Sequence, residues 1–338
     1  MLRRFPVADI YFLPQYHRAC ELNGNGAARV FVAEEGEHAF CYSFIVRPIE
    51  KVGAEPVRGS WFDLETVYGY SGPLSTTSDG VFLAAAWAAF DVWCGENRIV
   101  AEFIRFNPLL ENHRYADASR NVTLDRETVV VSLSGSEDDL WTNYPSVHRN
   151  MVRKALKKGL VCEEVPLSEG LSEFRRLYAE TMDRVGARSY YYFSDAYFTY
   201  LCTDLSEQVK LFMVRDQDRA VAATLFLLHG DRIHYHLSGS QVKSRGSQPN
   251  NLLLHAVALW GQKQGFRWLH LGGGRGPEQD DDLFRFKASL SRLRLAFYVG
   301  KRVHNPGVYE TLCSQWMRQK GLSQPPPYFL LYRMEDAN

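Results

Sequence analysis

The sequence predicts an α/β chain in which one α+β domain occurs twice in tandem. Two strand–turn–strand patterns, at Arg29–Val46 and Lys210–Leu228, carry this reading. Each is followed by a strand holding Tyr-x-x-Ser-Gly, Tyr68 to Gly72 in one half and Tyr235 to Gly239 in the other. Each of those leads into an apolar helix and a further short strand, so that a single order recurs. At 338 residues the chain suits two domains of about 150 to 170 residues.

In the first half the hairpin turns at Glu35-Gly36. A strand over Trp61–Leu74, a helix over Asp79–Cys94 and a strand over Arg98–Phe106 follow. In the second half the turn is Asp216-Gln217-Asp218, and the next strand is Asp231–Gln241. Its helix opens at Pro249 and stops at Gly265, the residues that suit a helix start and a helix end. Phe266–Leu271 is the following strand. Between the halves, Ser136 with Asp139 three residues on marks a helix start. The stretch His148–Lys158 holds Arg149, Arg153, Lys154, Lys157 and Lys158 and no acid; as a helix it sets Arg149, Arg153 and Lys157 on one face. That face is either solvated or a patch for phosphates, on a nucleotide sugar or an RNA backbone.

The formal net charge is zero, which gives no global pull toward DNA or an acidic membrane surface. The longest uncharged helical run, Val81–Phe90, is about half of what a membrane span needs. With no signal-peptide pattern at the N-terminus, a cytoplasmic location is expected. Six cysteines stand singly, without zinc-ligand spacing. His234 and His236 share one face of a strand; that spacing fits a metal pair or two polar residues on a sheet, and no metal is expected.

The stretch LHLGGGRGPEQDDDLFRFKASL, Leu269 to Leu290, sets three glycines after a strand. It lacks the lysine and hydroxyl of a P-loop, and Gly272, Gly274 and Pro277 do not fit a dinucleotide fingerprint. The acids Asp280 to Asp282 repel a phosphate and suit the start of the next helix. The glycines are then expected to turn the chain and leave room beside the backbone. Lys287 lies in that helix among Phe284, Phe286 and Leu290. It is either a snorkelling surface residue or a fixed cation in a low-dielectric cleft.

Four stretches together resemble the Fem family of non-ribosomal peptidyl transferases, within the GNAT superfamily. They are YGYSGP (Tyr68–Pro73), EFIRFNPLLEN (Glu102–Asn112), the basic RNMVRKALKKGL between the halves, and LHLGGG with LFRFKASL, whose Phe286-Lys287 matches the family's Phe-Lys pair. The resemblance implies two tandem GNAT-like domains, each a mixed, mostly antiparallel sheet flanked by helices. The first is set at 1–147 and completed by 320–338; the second, at 148–319, carries the donor and catalytic site. It implies an aminoacyltransferase that needs no resident cofactor. An amino acid moves from aminoacyl-tRNA to an amine on a peptidoglycan precursor, a small peptide or a secondary metabolite. Lys287 with Phe286 would be catalytic, the ammonium stabilising the tetrahedral oxyanion. Tyr68, Tyr70, Gly72, Tyr235 and Ser238 would line the substrate, and Arg184 and Arg188 would meet a phosphorylated acceptor. Arg149, Arg153, Lys157, Lys243 and Arg245 would meet phosphates of the tRNA. The loop Gln241–Asn251 keeps Gly246 but has Gln248 where a pyrophosphate loop for CoA takes a second small residue. Two alternatives stay open: an acyl-CoA-dependent N-acyltransferase and a non-catalytic ligand-binding module.

Overall fold

The computed structural model describes residues 4–5, 8–276 and 281–335. They form two compact units, one of Met1–Asp125 with Phe297–Asn338 and one of Arg126–Ala296. The chain opens with α1 (Pro14–Leu22), the hairpin β1 (Ala27–Glu35) and β2 (His38–Pro48), and a small ribbon of β3 (Lys51–Val52) and β4 (Glu55–Pro56). Next come β5 (Phe62–Glu65), β6 (Gly72–Ser75), α2 (Gly80–Glu96), β7 (Ile99–Arg105) and β8 (Thr123–Ser132). The middle holds α3 (Glu137–Asn143), α4 (Ser146–Lys157), β9 (Val161–Val165), α5 (Leu167–Arg184) and α6 (Asp195–Thr203). There follow the hairpin β10 (Val209–Asp216) and β11 (Arg219–His229), then β12 (Arg232–Ser240), α7 (Pro249–Lys263), β13 (Trp268–Gly272) and α8 (Asp282–Ala288). The chain closes with β14 (Arg294–Val303) and α9 (Pro306–Lys320).

The two units repeat one strand order. In the first it runs β1-β2-β5-β7-β14, with β6 on β2; in the second it runs β10-β11-β12-β13-β8, with β9 on the outer side of β10. Neighbours are antiparallel except the fourth strand, which runs parallel to the third in both: β5 with β7 and β12 with β13. The last strands are exchanged. β8 follows β7 in sequence but pairs with β13, and β14 follows β13 but pairs with β7.

This exchange places the boundaries differently from the sequence reading. Residue 148 falls inside α4 and within the second unit, and the segment returning to the first unit begins at Phe297 rather than at 320. The reason is pairing and burial: β14 joins β7, and Leu312 and Trp316 of α9 pack on Val100 and Ala101 of β7. The expected strand Trp61–Leu74 is also broken. β5 ends at Glu65, and Gly72, at φ +99°, turns the chain into β6. Glycine tolerates that conformation where other residues are strained.

α2 covers one face of the first sheet through Phe82, Trp87 and Phe90 on Phe40, Tyr42 and Phe44. In the second unit, α7 and α4 cover one face through Leu253, Val257 and Val152. α5 covers the other so closely that a Cβ on Gly239 would stand 2.4 Å from the Leu177 carbonyl carbon. Ser136 and Asp139 form a reciprocal capping box at α3, as its sequence suggests. All six cysteines are free thiols, with Cys20, Cys41 and Cys94 buried. Among the described residues no helix is long and apolar enough to cross a membrane.

Candidate functional site

The site is built where β12 and β13 part. Their ladder runs Arg232↔Trp268, Ile233↔Leu269 and His234↔His270 and stops there, although β12 continues to Ser240. β13 bulges between His270 and Gly272, and Gly272 adopts φ +72°. The chain therefore leaves the sheet at Gly273. It returns as α8, capped by Asp281, whose carboxylate accepts the Phe284 N–H at 2.8 Å. The cap matches the role expected of the acidic cluster; Asp280 and Pro277 lie outside the described residues.

Lys287 on α8 reaches back into this gap. It is 7% exposed. Its ammonium donates to the Gly273 carbonyl at 2.7 Å and stands 5.5 Å from the centre of the Tyr235 ring. Among the described residues it has no ion pair. Burial pulls its pKa down from 10.5 to about 7, with the Asp281 charge opposing and the Arg126 charge adding. Phe284 and Phe286 pack partly buried against the core below.

A second bulge assembles the floor. Leu225 pairs with Leu237 but Phe226 pairs with Tyr235, so His236 is extra. Side chains three apart on a regular strand face opposite ways. Here the bulge brings Tyr235 and Ser238 together. The Tyr235 hydroxyl hydrogen-bonds Ser238 and Thr224, two contacts that ease its ionisation against the stronger upward push of burial. Thr224 donates to Ser238 at 2.8 Å. Thr224 was not singled out from the sequence; its signal is a lone hydroxyl in the apolar run AVAATLFLL. Arg126 was missed as well. It donates to the Gly274 carbonyl at 3.0 Å, and its Cδ lies 2.9 Å from where a Cβ on Gly273 would be. The glycines thus make room for backbone and for Arg126 and turn a carbonyl toward Lys287.

The other sequence candidates fall in separate places. In the second unit, Arg184 donates to the Ser240 carbonyl at 3.0 Å and to Thr181 at 3.3 Å. Its pKa is lowered by burial first and then by the nearby Arg245 charge. Arg245 and Lys243 are exposed in the short helical segment before α7, and Gln248 at the α7 N-cap holds φ +62°. Arg188 is exposed ahead of the aromatic turn Ser189–Tyr191. The basic stripe on α4 is uneven. Arg149 folds back on the Thr142 and Tyr144 carbonyls, at 3.0 and 2.9 Å, so it closes the end of α3. Arg153 is exposed with its guanidinium 5.2 Å from the Trp141 ring centre, and Lys157 is exposed. His236 lies 2.7 Å from the Tyr197 hydroxyl and His234 3.4 Å from His270, which makes the pair part of the sheet's polar packing.

In the first unit, the Tyr68 carbonyl accepts the Tyr16 hydroxyl at 2.7 Å, and the Tyr70 carbonyl accepts the Asn107 amide at 3.2 Å. A Cβ on Gly72 would stand 2.9 Å from the Asn112 amide nitrogen. That amide also donates to the Ser71 and Pro73 carbonyls at 2.8 and 2.9 Å. YGYSGP and EFIRFNPLLEN are therefore tied to each other through Asn107 and Asn112.

Comparison with known proteins bears on the fold. Residues 146–288 match the family described as the acetyltransferase (GNAT) domain. No curated protein sequence matches the chain. Among solved structures, FemX superposes with a TM-score of 0.63 at 16% identity, over 90% of this chain and 95% of that one. L-PGS from Bacillus licheniformis superposes at 0.54 and 15% identity, over 92% and 98%. A conserved protein of unknown function from Bacteroides thetaiotaomicron gives 0.55 at 10% identity, over 85% and 90%. Likeness at these identities is a likeness of fold.

Proposed function

We propose that this GNAT-type acyltransferase moves an aminoacyl group from aminoacyl-tRNA to an amine acceptor and forms an amide bond. The observation that carries the reading is Lys287, a buried cation with no ion pair among the described residues, set where the parallel strands part. The acceptor amine attacks the ester carbonyl, and the carbonyl π electrons move to oxygen. The tetrahedral oxyanion collapses, the bond from the acyl carbon to the ribose oxygen breaks, and the proton lost by the attacking nitrogen ends on that oxygen. An ammonium in a dry gap is worth most at the step where negative charge appears on oxygen. The hydroxyls of Tyr235, Ser238 and Thr224 form the polar floor that orients the acyl group.

The donor class rests on the Fem resemblance and on two features of the fold. Arg184 and Arg245 stand as like-charged neighbours before α7, an arrangement that an anion relieves. Gln248 holds a left-handed conformation there, at about 1 kcal/mol relative to glycine. It replaces the small residue that lets a CoA pyrophosphate approach the helix. Arg153 and Lys157 are then left for the tRNA backbone. The reading is tested by incubating the protein with radiolabelled aminoacyl-tRNAs and a mixture of small amines. Transfer of label to a small product, lost after ribonuclease treatment, supports it. Label retained on tRNA, with acetyl transfer from acetyl-CoA in a parallel reaction, overturns it in favour of a CoA donor.

A further inference from the structure

We infer that the first unit is a self-association module, in which β1 pairs antiparallel with β1 of a second copy of this chain, with Val32 on the two-fold axis. β1 ends the sheet of its unit, with β2 as its one neighbour among the described residues. A nine-residue edge strand reading AARVFVAEE is long and apolar for a solvated edge. Val30 on it is 57% exposed.

The direction of its amides is set by two bonds. The Ala28 N–H donates to the Glu21 carboxylate at 2.8 Å, and the Ala28 carbonyl accepts from Arg29 at 2.7 Å. Ala28 therefore points away from β2. By the alternation of an antiparallel ladder, Val30, Val32 and Glu34 point the same way. These are the residues that a strand added about Val32 would meet: Val32 opposite itself and Val30 opposite Glu34 of the other copy.

Charge selects this register. Phe31 and Ala33 pack toward α2, so Arg29 and Glu35 share that face. Both are exposed, and Glu35 has no ion pair among the described residues. Pairing about Val32 sets Arg29 opposite Glu35 of the second copy, and does so twice by symmetry. Moving the axis to Phe31 would set Arg29 opposite Ala33 and lose both pairs.

The face next to the edge agrees. α2 packs on β1 through Phe90 and Phe31, 5.2 Å between ring centres. Its outer side shows Val81, Ala84, Ala85, Ala88, Ala89 and Val92 with no charge among them. Helices that are apolar on both sides are ordinarily covered.

The test is the molar mass of the full chain by sedimentation equilibrium across micromolar concentrations, with circular dichroism as the folding control. The wild type is expected to dimerise. Arg29→Glu and Glu35→Arg, both at exposed positions, should each weaken the dimer by about tenfold or more. The Arg29→Glu/Glu35→Arg double variant should restore it. A wild type that stays monomeric overturns the inference. So does a dimer indifferent to Arg29→Glu, or a double variant no tighter than the single ones.

Discussion

At the same point of a shared strand order, one unit closes its parallel pair and the other leaves it parted. In the first unit the chain beyond β5 zips along β7. The Thr66 N–H donates to the Phe103 carbonyl at 3.2 Å, the Arg105 N–H to the Thr66 hydroxyl at 3.0 Å, and the Ser71 N–H to the Arg105 carbonyl at 2.9 Å. In the second unit the ladder stops at His234–His270, and Lys287 enters the gap. The buried cations differ in the same sense. Arg120 of the first unit is fully buried but meets Asp91 at 2.5 Å, Asp117 at 3.2 Å and Glu102 at 3.5 Å, and lies 4.0 Å over Trp87. Lys287 is nearly as buried, yet among the described residues it has no ion pair; its ammonium meets the Gly273 carbonyl at 2.7 Å and the Tyr235 ring at 5.5 Å. A charge paired with carboxylates on several sides holds a fold together; one buried without an ion pair among the described residues is disfavoured in the folded chain, the condition under which a perturbed group is a candidate for a role in the reaction.

The largest expected effect is on rate. Lys287→Met should lower kcat by about 10²- to 10³-fold, the usual loss for one oxyanion donor. Thr66→Val, at the closed pair, should leave kcat within about twofold. A comparable loss at both positions in single-turnover transfer would erase the distinction between the units.

Stability should move in opposite directions at the two cations. Arg120→Met takes the guanidinium from the fully buried Glu102, which keeps His304 at 3.2 Å, and from Asp91 and Asp117; it should destabilise the first unit by about 3 kcal/mol in urea titrations. Lys287→Met should stabilise the second. Burial lowers its pKa in the folded chain to about 7 from the ordinary 10.5 of a lysine, so the unfolded chain binds the extra proton between those values. Wild-type stability therefore rises with pH across that window. The gain from Lys287→Met is largest below pH 7, up to about 5 kcal/mol, and disappears above about pH 10.5. A gain independent of pH would mean that Lys287 is not the group that titrates.

The smallest effect sharpens the comparison. Thr66→Val removes one hydrogen bond from the closed pair and should cost about 1 kcal/mol. Thr224→Val should cost a similar amount and also reduce activity, because Thr224 belongs to the floor beneath Lys287. If Thr224→Val lowers stability alone, the hydroxyl floor is structural.

Much of this was legible in the sequence, because it is local. The two hairpins, the Pro249 start of α7, the Ser136–Asp139 capping box and the acid-led helix bearing Lys287 depend on residues a few positions apart. The exchange of β8 and β14 was not legible. It is decided by pairing between strands far apart in sequence, and so the boundaries moved from 147 to 125 and from 320 to 297. The two Tyr-x-x-Ser-Gly motifs look alike, but Gly72 turns a chain at φ +99° while Gly239 admits α5 within a strand. Nor does alternation reveal that Tyr235 and Ser238 share a face, since a bulge of one residue brings them together. Arg149 belonged to the basic stripe by spacing, yet the nearby carbonyls of α3 claim it.

The most direct measurement is the pH dependence of kcat/KM for aminoacyl transfer in the wild type and in Lys287→Arg. Kcat/KM reports the ionisations of the free enzyme. The protonated amine is the active form, so the wild-type rate should fall as pH rises through about 7, the pKa that burial gives Lys287. In Lys287→Arg, whose guanidinium stays charged, that falling limb should vanish. With the ionisation of the acceptor amine divided out, a wild-type rate that does not fall through pH 7, or a falling limb unchanged in Lys287→Arg, would contradict the assignment of Lys287 as the charge that meets the oxyanion.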